Sequence, residues 1–343
     1  MINRINRIKA FSNLGTYLLD PTNSIEIEEV TQSARNQNGW FTPKNTLLSL
    51  ESIARNYLAE AQLTEFAGHY VEPANPKKIG VVMAGNLPAV GFHDALCVLL
   101  SGHHLLAKLS KDDTILMMYL LSTLQKLEPE LAASITLVDR INQADAYIAT
   151  GSDNTARYFE YYFASKPHVI RRNRTSVAVL SGEETDQERS GLLDDTLLYF
   201  GLGCRNVSKM FVPLGYDFTK LYESVESRRN EYAHHHRYFN NYEYNRAVLL
   251  VNATEHLDNG FLIFAPNEAL VSPLSVVYYE EYSSLDSIRE ILAGQTEKIQ
   301  CVVSNPSLIP GGVPFGQAQS PGLSDFADGV DTMAFLADVG KSE

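Results

Sequence analysis

Residues 79–110, "IGVVMAGNLPAVGFHDALCVLLSGHHLLAKLS", change the rhythm of the chain. "IGVVMAG" (79–85) is a short continuous apolar run ending in glycine, which reads as a buried strand. "AVGFHDALCVLLSG" (89–102) has the length and spacing of a helix, and "HLLAKLS" (104–110) returns to the strand pattern. The alternation continues through the helical "TILMMYLLSTLQKL" (114–127) and the strands "SITLVD" (134–139), "AYIAT" (146–150) and "SVAVLSG" (176–182). Strands separated by helices of this length predict a parallel sheet with crossover helices, hence an α/β fold.

Outward from this core, residues 1–75 carry helical signals. In "TPKNTLLSLESIARNYLAEAQL" (42–63), Thr42 is placed to cap a helix and Pro43 to open it. Beyond the acidic, helix-like "GEETDQERSGLLDDTLLYFG" (182–201), a second α/β stretch begins at "SKMFVPLG" (208–215). It runs through "RAVLLVNA", "FLIFAP", "LSVVYYEEY" and "IQCVVSN" to the turn-rich "NPSLIPGGVPFGQAQSPG" (305–322). Two lobes meeting near residues 184–190 are expected.

A chain of 343 residues that is 45% apolar can bury one large core or several smaller ones. Its net charge of −13 disfavours nonspecific attraction to nucleic acid or anionic membrane. Three dispersed cysteines, Cys97, Cys204 and Cys301, suit a reducing compartment better than a disulfide framework. The first twenty residues lack the apolar stretch of a signal peptide, and no run reaches the roughly 20 apolar residues of a membrane span. A cytoplasmic location is the default expectation.

Several segments suit chemistry, each with a plainer structural reading beside it. Asn86 in "GNLP" sits beyond a strand's carboxyl end, where open α/β sheets bind ligands, yet it can equally cap the following helix. Lys108, Ser110 and Lys111 in "LLAKLSKDDT" are placed to meet a ribose or phosphate, or simply to snorkel at the sheet edge. Gly151 and Ser152 in "ATGS" offer a strand-to-helix turn to an anion, or only a helix cap. Arg171, Arg172 and Arg174 are close enough to share a phosphate, although such runs are more often a solvated face. His234, His235 and His236 point in successive directions and suit a metal poorly. No phosphate loop, G-x-S-x-G elbow or H-E-x-x-H motif occurs. Among the cysteines, Cys97 and Cys301 lie in apolar segments and read as inert core residues. Cys204, in "GLGCRNV", has glycines before it and polar residues after it, as an accessible thiol with backbone donors requires.

Taken in order from about residue 76 to the end, "GNLP", "LLAKLSKDDT", "ATGS", "GLGC" and "VPFGQAQSPGLSDFADGVDTM" resemble motifs of the aldehyde dehydrogenase superfamily, and within it the LuxC-type fatty acyl-CoA reductases. The resemblance implies an aldehyde-dehydrogenase-like fold with a helical lead-in (1–75), a Rossmann-like nicotinamide-binding domain (76–185), a catalytic thiol domain (186–314) and a C-terminal segment (315–343) returning to the cofactor domain. It makes Cys204 the nucleophile that takes an acyl group from CoA or an acyl-protein thioester, with Asn86 stabilising the oxyanion. Lys108 and Ser110 are expected at the adenosine ribose, Gly151 and Ser152 near the pyrophosphate, and Glu268 in "NEALVSP", with a one-residue shift, at the nicotinamide ribose.

Two departures sharpen the expectation. Lys111 replaces an acidic residue that contacts ribose hydroxyls, which suits a 2′-phosphate and favours NADPH, with NADH as the alternative. "IRRNRTSVAV" (170–179), where the family places its general-base glutamate, holds no carboxylate. An acyl-enzyme without an activated water is suited to reduction rather than hydrolysis. The expected product is a fatty aldehyde. An aldehyde or semialdehyde dehydrogenase and a non-catalytic acyl-carrier or partner-binding relative are the competing readings. A partner acyltransferase or synthetase and a homo-oligomer fit this family picture.

Overall fold

The computed structural model describes residues 2–341, which fall into two compact units, 2–173 with 321–341, and 174–320. The first opens with helices α1 (Arg4–Leu19), α2 (Ser24–Gln37), α3 (Pro43–Tyr57) and α4 (Glu60–Gly68). Thr42 accepts a hydrogen bond from the Asn45 N–H at the start of α3, with Pro43 in the first turn where its missing N–H costs nothing. These helices contribute core side chains such as Phe11, Leu14 and Leu63 to the cluster that covers the sheet.

That sheet contains β1 (Lys78–Val82), β2 (His104–Lys108), β3 (Ile135–Leu137), β4 (Ala146–Thr150) and β5 (His168–Arg171), all parallel, in the order β3-β2-β1-β4-β5. Crossovers include α5 (Phe92–Ser101), α6 (Thr114–Leu127), the short α7 (Pro129–Ala132) and α8 (Asp153–Phe163). Helix α5 stops at Gly102, whose φ of 96° closes the helix in a left-handed cap. Strand order reverses between β1 and β4, and the loops leaving their carboxyl ends diverge there. This is the switch point at which doubly wound sheets form a ligand crevice.

The chain returns to this unit through the C-terminal helix Thr332–Val339. His103 is buried and accepts the Lys77 N–H at Nδ1 (3.0 Å), so Nε2 carries the proton donated to the Leu336 carbonyl at 2.9 Å. Arg171, buried at the end of β5, pairs with Asp94 on α5 at 2.6 Å and donates to Thr332 Oγ1 at 2.7 Å.

The second unit is a mixed sheet of β6 (Thr175–Val179), β7 (Val207–Pro213), β8 (Leu257–Asp258), β9 (Ile263–Pro266), β10 (Val276–Tyr282) and β11 (Ile299–Val303), ordered β11-β6-β7-β10-β9-β8. Only the β8–β9 pairing is antiparallel. Helices α9 (Asp186–Leu197), α10 (Thr219–Glu226), α11 (Arg229–Tyr232), α12 (His236–Val251) and α13 (Leu285–Ala293) complete it. "SVAV" thus pairs in the second sheet, because β6 lies between β7 and β11, and the compact units divide at 173/174, before the 185/186 position expected from sequence. Among the described residues no helix is long and apolar enough to cross a membrane.

The Arg171–Asp94 pair generates a stability prediction. Removing one member of a buried pair strands the other charge, so Asp94→Ala is expected to cost about 3–5 kcal/mol in urea unfolding. An unchanged midpoint would show that the pair carries no such weight.

Candidate active site

In the first unit, the sheet topology gathers the loops after β1, β2 and β4 at one edge. Gly85 is there because nothing larger fits: a Cβ added to it would lie 2.3 Å from Ser110 Oγ and 2.5 Å from Ser110 Cβ. The β1 and β2 loops therefore touch, with Asn86 exposed just beyond. The "GNLPAV" loop is pinned behind Asn86 by Ser49, whose hydroxyl donates to the Pro88 carbonyl at 2.7 Å, and by Asp113 Oδ2, which accepts the Ala89 N–H at 2.8 Å. Ala89 is left-handed, at φ 56°, a conformation that costs free energy without a glycine.

Asp113 was not singled out by the sequence reading, although an acid ahead of the helix at Thr114 was the available signal. Only 1% exposed, with Oδ1 lacking a hydrogen-bond partner, its carboxyl is pushed up to about 8 by burial against the opposing Ala89 hydrogen bond. On the β2 loop, Lys108 and Lys111 are exposed and Ser110 is half-buried. The Lys111 carbonyl accepts from Gln37 Nε2 at 2.8 Å, so helix α2 fixes the turn that presents its side chain. A Cβ added at Gly151 would lie 3.0 Å from Thr155 Cβ, a tight contact, and Ser152 caps α8 through Thr155 N–H at 3.4 Å. The capping reading of Ser152 is thus realised in the fold.

The basic run disperses. Arg171 is consumed by Asp94, Arg172 pairs with Glu160, and Arg174 donates to the Thr296 and Ile299 carbonyls. Each of the three is thus engaged by a different partner.

In the second unit, Cys204 lies half-buried in the turn between α9 and β7. The approach is unusual: Tyr199, Phe200 and Gly201 have φ of 54°, 61° and 75° in succession. Two of these residues carry side chains that resist the left-handed region, so surrounding contacts must hold them. Phe200 is stacked on His235 with centroids 4.1 Å apart and lies edge-on to Tyr232 at 5.5 Å. The His234–His236 run supplies this aromatic support, with His235 also capping α12 through the Tyr238 N–H.

Asn206, 3% exposed, clamps the turn itself. Its Nδ2 donates to the carbonyls of Asp195, Thr196 and Leu198 at 3.1, 3.3 and 2.9 Å, and its Oδ1 accepts the Gly203 N–H at 2.8 Å. One side chain thereby ties the end of α9 to the residue preceding the thiol. From the other side, Ser176 Oγ donates to the Cys204 carbonyl at 3.0 Å and stands 3.1 Å from Cys301 Sγ. Cys301 is half-buried, contrary to the core role expected from sequence, because β11 is the sheet's edge strand. Cys97 is buried, and desolvation pushes its thiol up.

Asp195, fully buried, accepts the Gly316 and Ala318 N–H groups at 2.6 and 2.9 Å, and burial pushes its carboxyl up to about 7. It joins the "PFGQAQS" segment to the helix that Asn206 clamps. Glu268 projects from the loop after β9 and is exposed, while its carbonyl accepts from Lys209 Nζ at 2.7 Å. Among the described residues no cluster of His, Cys, Asp or Glu is arranged to hold a metal.

Two expectations follow. Asn206→Ala leaves several buried backbone groups without partners and should lower stability by about 2 kcal/mol or more in chemical denaturation, since each orphan costs about 1–3 kcal/mol. Asp113 is raised well above the ordinary carboxylate value, so the folded state holds its proton more tightly than the unfolded chain. Its contribution is complete below about pH 4 and lost as pH rises through about 8. Urea midpoints of Asp113→Asn should fall less steeply than wild type between those limits; parallel curves would exclude the effect.

With this geometry in place, the relatives are informative. Residues 52–213 match the acyl-CoA reductase (LuxC) family, a span that includes Asn86, the β2 loop, the α8 turn and Cys204. No curated protein matches the chain in sequence. Among solved structures, aldehyde dehydrogenase 21 from Physcomitrella patens, in complex with succinate, superposes with a TM-score of 0.68 at 12% identity, covering 98% of this chain and 84% of that one. An NAD-dependent aldehyde dehydrogenase from Sinorhizobium meliloti gives 0.67 at 11% identity over 91% and 74% of the two chains. A propionaldehyde dehydrogenase from Rhodopseudomonas palustris, with bound CoA and an acylated cysteine, gives 0.63 at 9% over 98% and 91%. Residues 52–213 thus match the LuxC acyl-CoA reductase family, and the chain has an aldehyde-dehydrogenase-like α/β fold.

Proposed function

We propose that the protein reduces a fatty acyl thioester to an aldehyde through an acyl group carried on Cys204, using NADPH. The observation that carries this reading is the clamped, glycine-flanked turn that presents Cys204, within the span matched by the acyl-CoA reductase family. In this reading the first unit is the nicotinamide domain and the second the catalytic thiol domain.

The residues at the first sheet's carboxyl edge fit a dinucleotide by the chemistry of their donors. Lys108 and Ser110 are proposed at the adenosine ribose, and Lys111 at a 2′-phosphate. Gly151 and Ser152, at the amino end of α8, are proposed near the pyrophosphate. Glu268 is proposed at the nicotinamide ribose. When bound, the nicotinamide supplies the hydride.

The work of the chain's own groups is acyl transfer. The Cys204 thiolate adds to the thioester carbon, the C–S bond to CoA breaks, and the CoA thiolate leaves as the acyl–cysteine bond forms. The Cys204 N–H and the Asn86 amide are the proposed oxyanion donors. Segment 170–179 offers no carboxylate to activate water. Of the next two acids along the chain, Glu183 is exposed, and Glu184 is occupied by Ser181 N–H and Oγ and by Gly182 N–H in its own turn. That arrangement favours reduction over hydrolysis of the acyl-enzyme.

The test is intact-mass analysis after incubation with a long-chain acyl-CoA, followed by addition of NADPH or NADH. Wild type should gain one acyl mass and release aldehyde, with no acid product, while Cys204→Ala should gain none. Lys111→Glu should shift the preference towards NADH. Acylation of Cys204→Ala at the native rate would remove the nucleophile assignment.

A further inference from the structure

Lys209 occupies the middle of β7, between Val177 of β6 and Tyr278 of β10, and is 1% exposed. A buried ammonium is costly, and an aliphatic side chain would serve a central strand as well. Its three donors are nonetheless well used. Nζ pairs with the Glu280 carboxylate on β10, donates to the Glu268 carbonyl at 2.7 Å, and lies 4.9 Å from the centre of the Phe211 ring.

The bond to Glu268 is the informative one, because it leaves the sheet. The adjacent Ser208 hydroxyl donates to the Leu270 carbonyl at 2.6 Å, so two neighbouring β7 side chains hold two carbonyls of one loop. At the loop's base the Asn267 N–H donates to the Tyr279 carbonyl at 3.0 Å, and Asn267 Oδ1 accepts the Ala269 N–H at 2.8 Å. The Glu268 backbone is therefore fixed on both flanks while its carboxylate stands in solvent. The strand that fixes it begins three residues after Cys204. A sheet-stabilising ion pair requires only Glu280; it does not require a backbone carbonyl from a separate loop.

We propose that Lys209 is a positioning residue that sets the Glu268 carboxylate for the reductive half of the reaction, leaving acylation of Cys204 to other groups. The proposal rests on the reading of Glu268 given above. It acts through distance: a carboxylate on a loop loosened by one lost tether spends less time where a ribose hydroxyl can meet it.

The experiment separates the two half-reactions in the full-length protein. Acylation by acyl-CoA is followed by intact mass, and aldehyde release from the acyl-enzyme is followed in a single turnover with NADPH. Lys209→Met is paired with Lys209→Met/Glu280→Leu, in which an apolar pair replaces the buried ammonium and its half-buried carboxylate partner and keeps the sheet folded. Both variants are expected to acylate within twofold of wild type and to release aldehyde at least tenfold more slowly. Lys209→Arg, which retains a donor, should recover part of that loss. Adding Glu268→Gln to the double variant should cause no further loss, because both changes act on one carboxylate. A folded double variant with native release, or losses that multiply with Glu268→Gln, overturns the role of Lys209 alone. If Glu268→Gln by itself leaves release unchanged, the assignment of Glu268 falls and the proposal falls with it.

Discussion

One buried carboxamide governs the thiol loop. Asn206 spends its donors on three carbonyls at the end of α9 and its acceptor on the residue before Cys204, so the turn can close only one way. The three consecutive left-handed residues before it are tolerable because the same clamp anchors their downstream end while Phe200 is held among aromatic rings. Asp195 extends the arrangement by binding the N–H groups of Gly316 and Ala318. The Cys204 turn is thereby held by a helix, a strand and a segment distant in sequence together.

The first unit solves the complementary problem by topology. The loops at its carboxyl edge diverge where strand order reverses between β1 and β4, and Asn86, Lys108 and Lys111 there are exposed. What constrains them lies below: Asp113 and Ser49 under the Asn86 loop, Gln37 under Lys111, and the missing side chain at Gly85.

Much of this was legible in the sequence for physical reasons. Parallel strands buried on both faces write continuous apolar runs, and their alternation with helices marked the α/β class and the strand ends at Lys108 and Thr150, while β1 stops at Val82, three residues short of the Gly85 read as its end. Thr42 and Pro43 announced the start of α3 through local geometry alone. The supports were not legible, because they are long-range. Nothing local tells that Asp113 will meet Ala89, that Asn206 will bridge to α9, or that a lysine in an apolar strand will be buried against Glu280. The arginine run is the reverse case: it looked like a single charged feature, yet Arg171, Arg172 and Arg174 each found a separate partner. Cys301 misled because apolar neighbours do not distinguish an edge strand from a central one.

The chain leaves the first unit at residue 173 and re-enters it at 321. That interruption imposes an order of assembly. The contacts that close the first unit join partners far apart in sequence: Arg171 with Thr332, His93 with the Leu323 carbonyl, and His103 with the Leu336 carbonyl. Closing such loops is entropically expensive and slow. A nascent chain that has completed β5 has made every strand of the first sheet, yet it still lacks the helix that satisfies the buried Arg171 and His103. The whole second unit must be synthesised before Thr332 and the Leu336 carbonyl can complete the hydrogen bonding that Asp94 and the Lys77 N–H begin. Until then the first unit is an unfinished body with a polar gap in its core, and its closure waits for the segment from 321 through the helix Thr332–Val339.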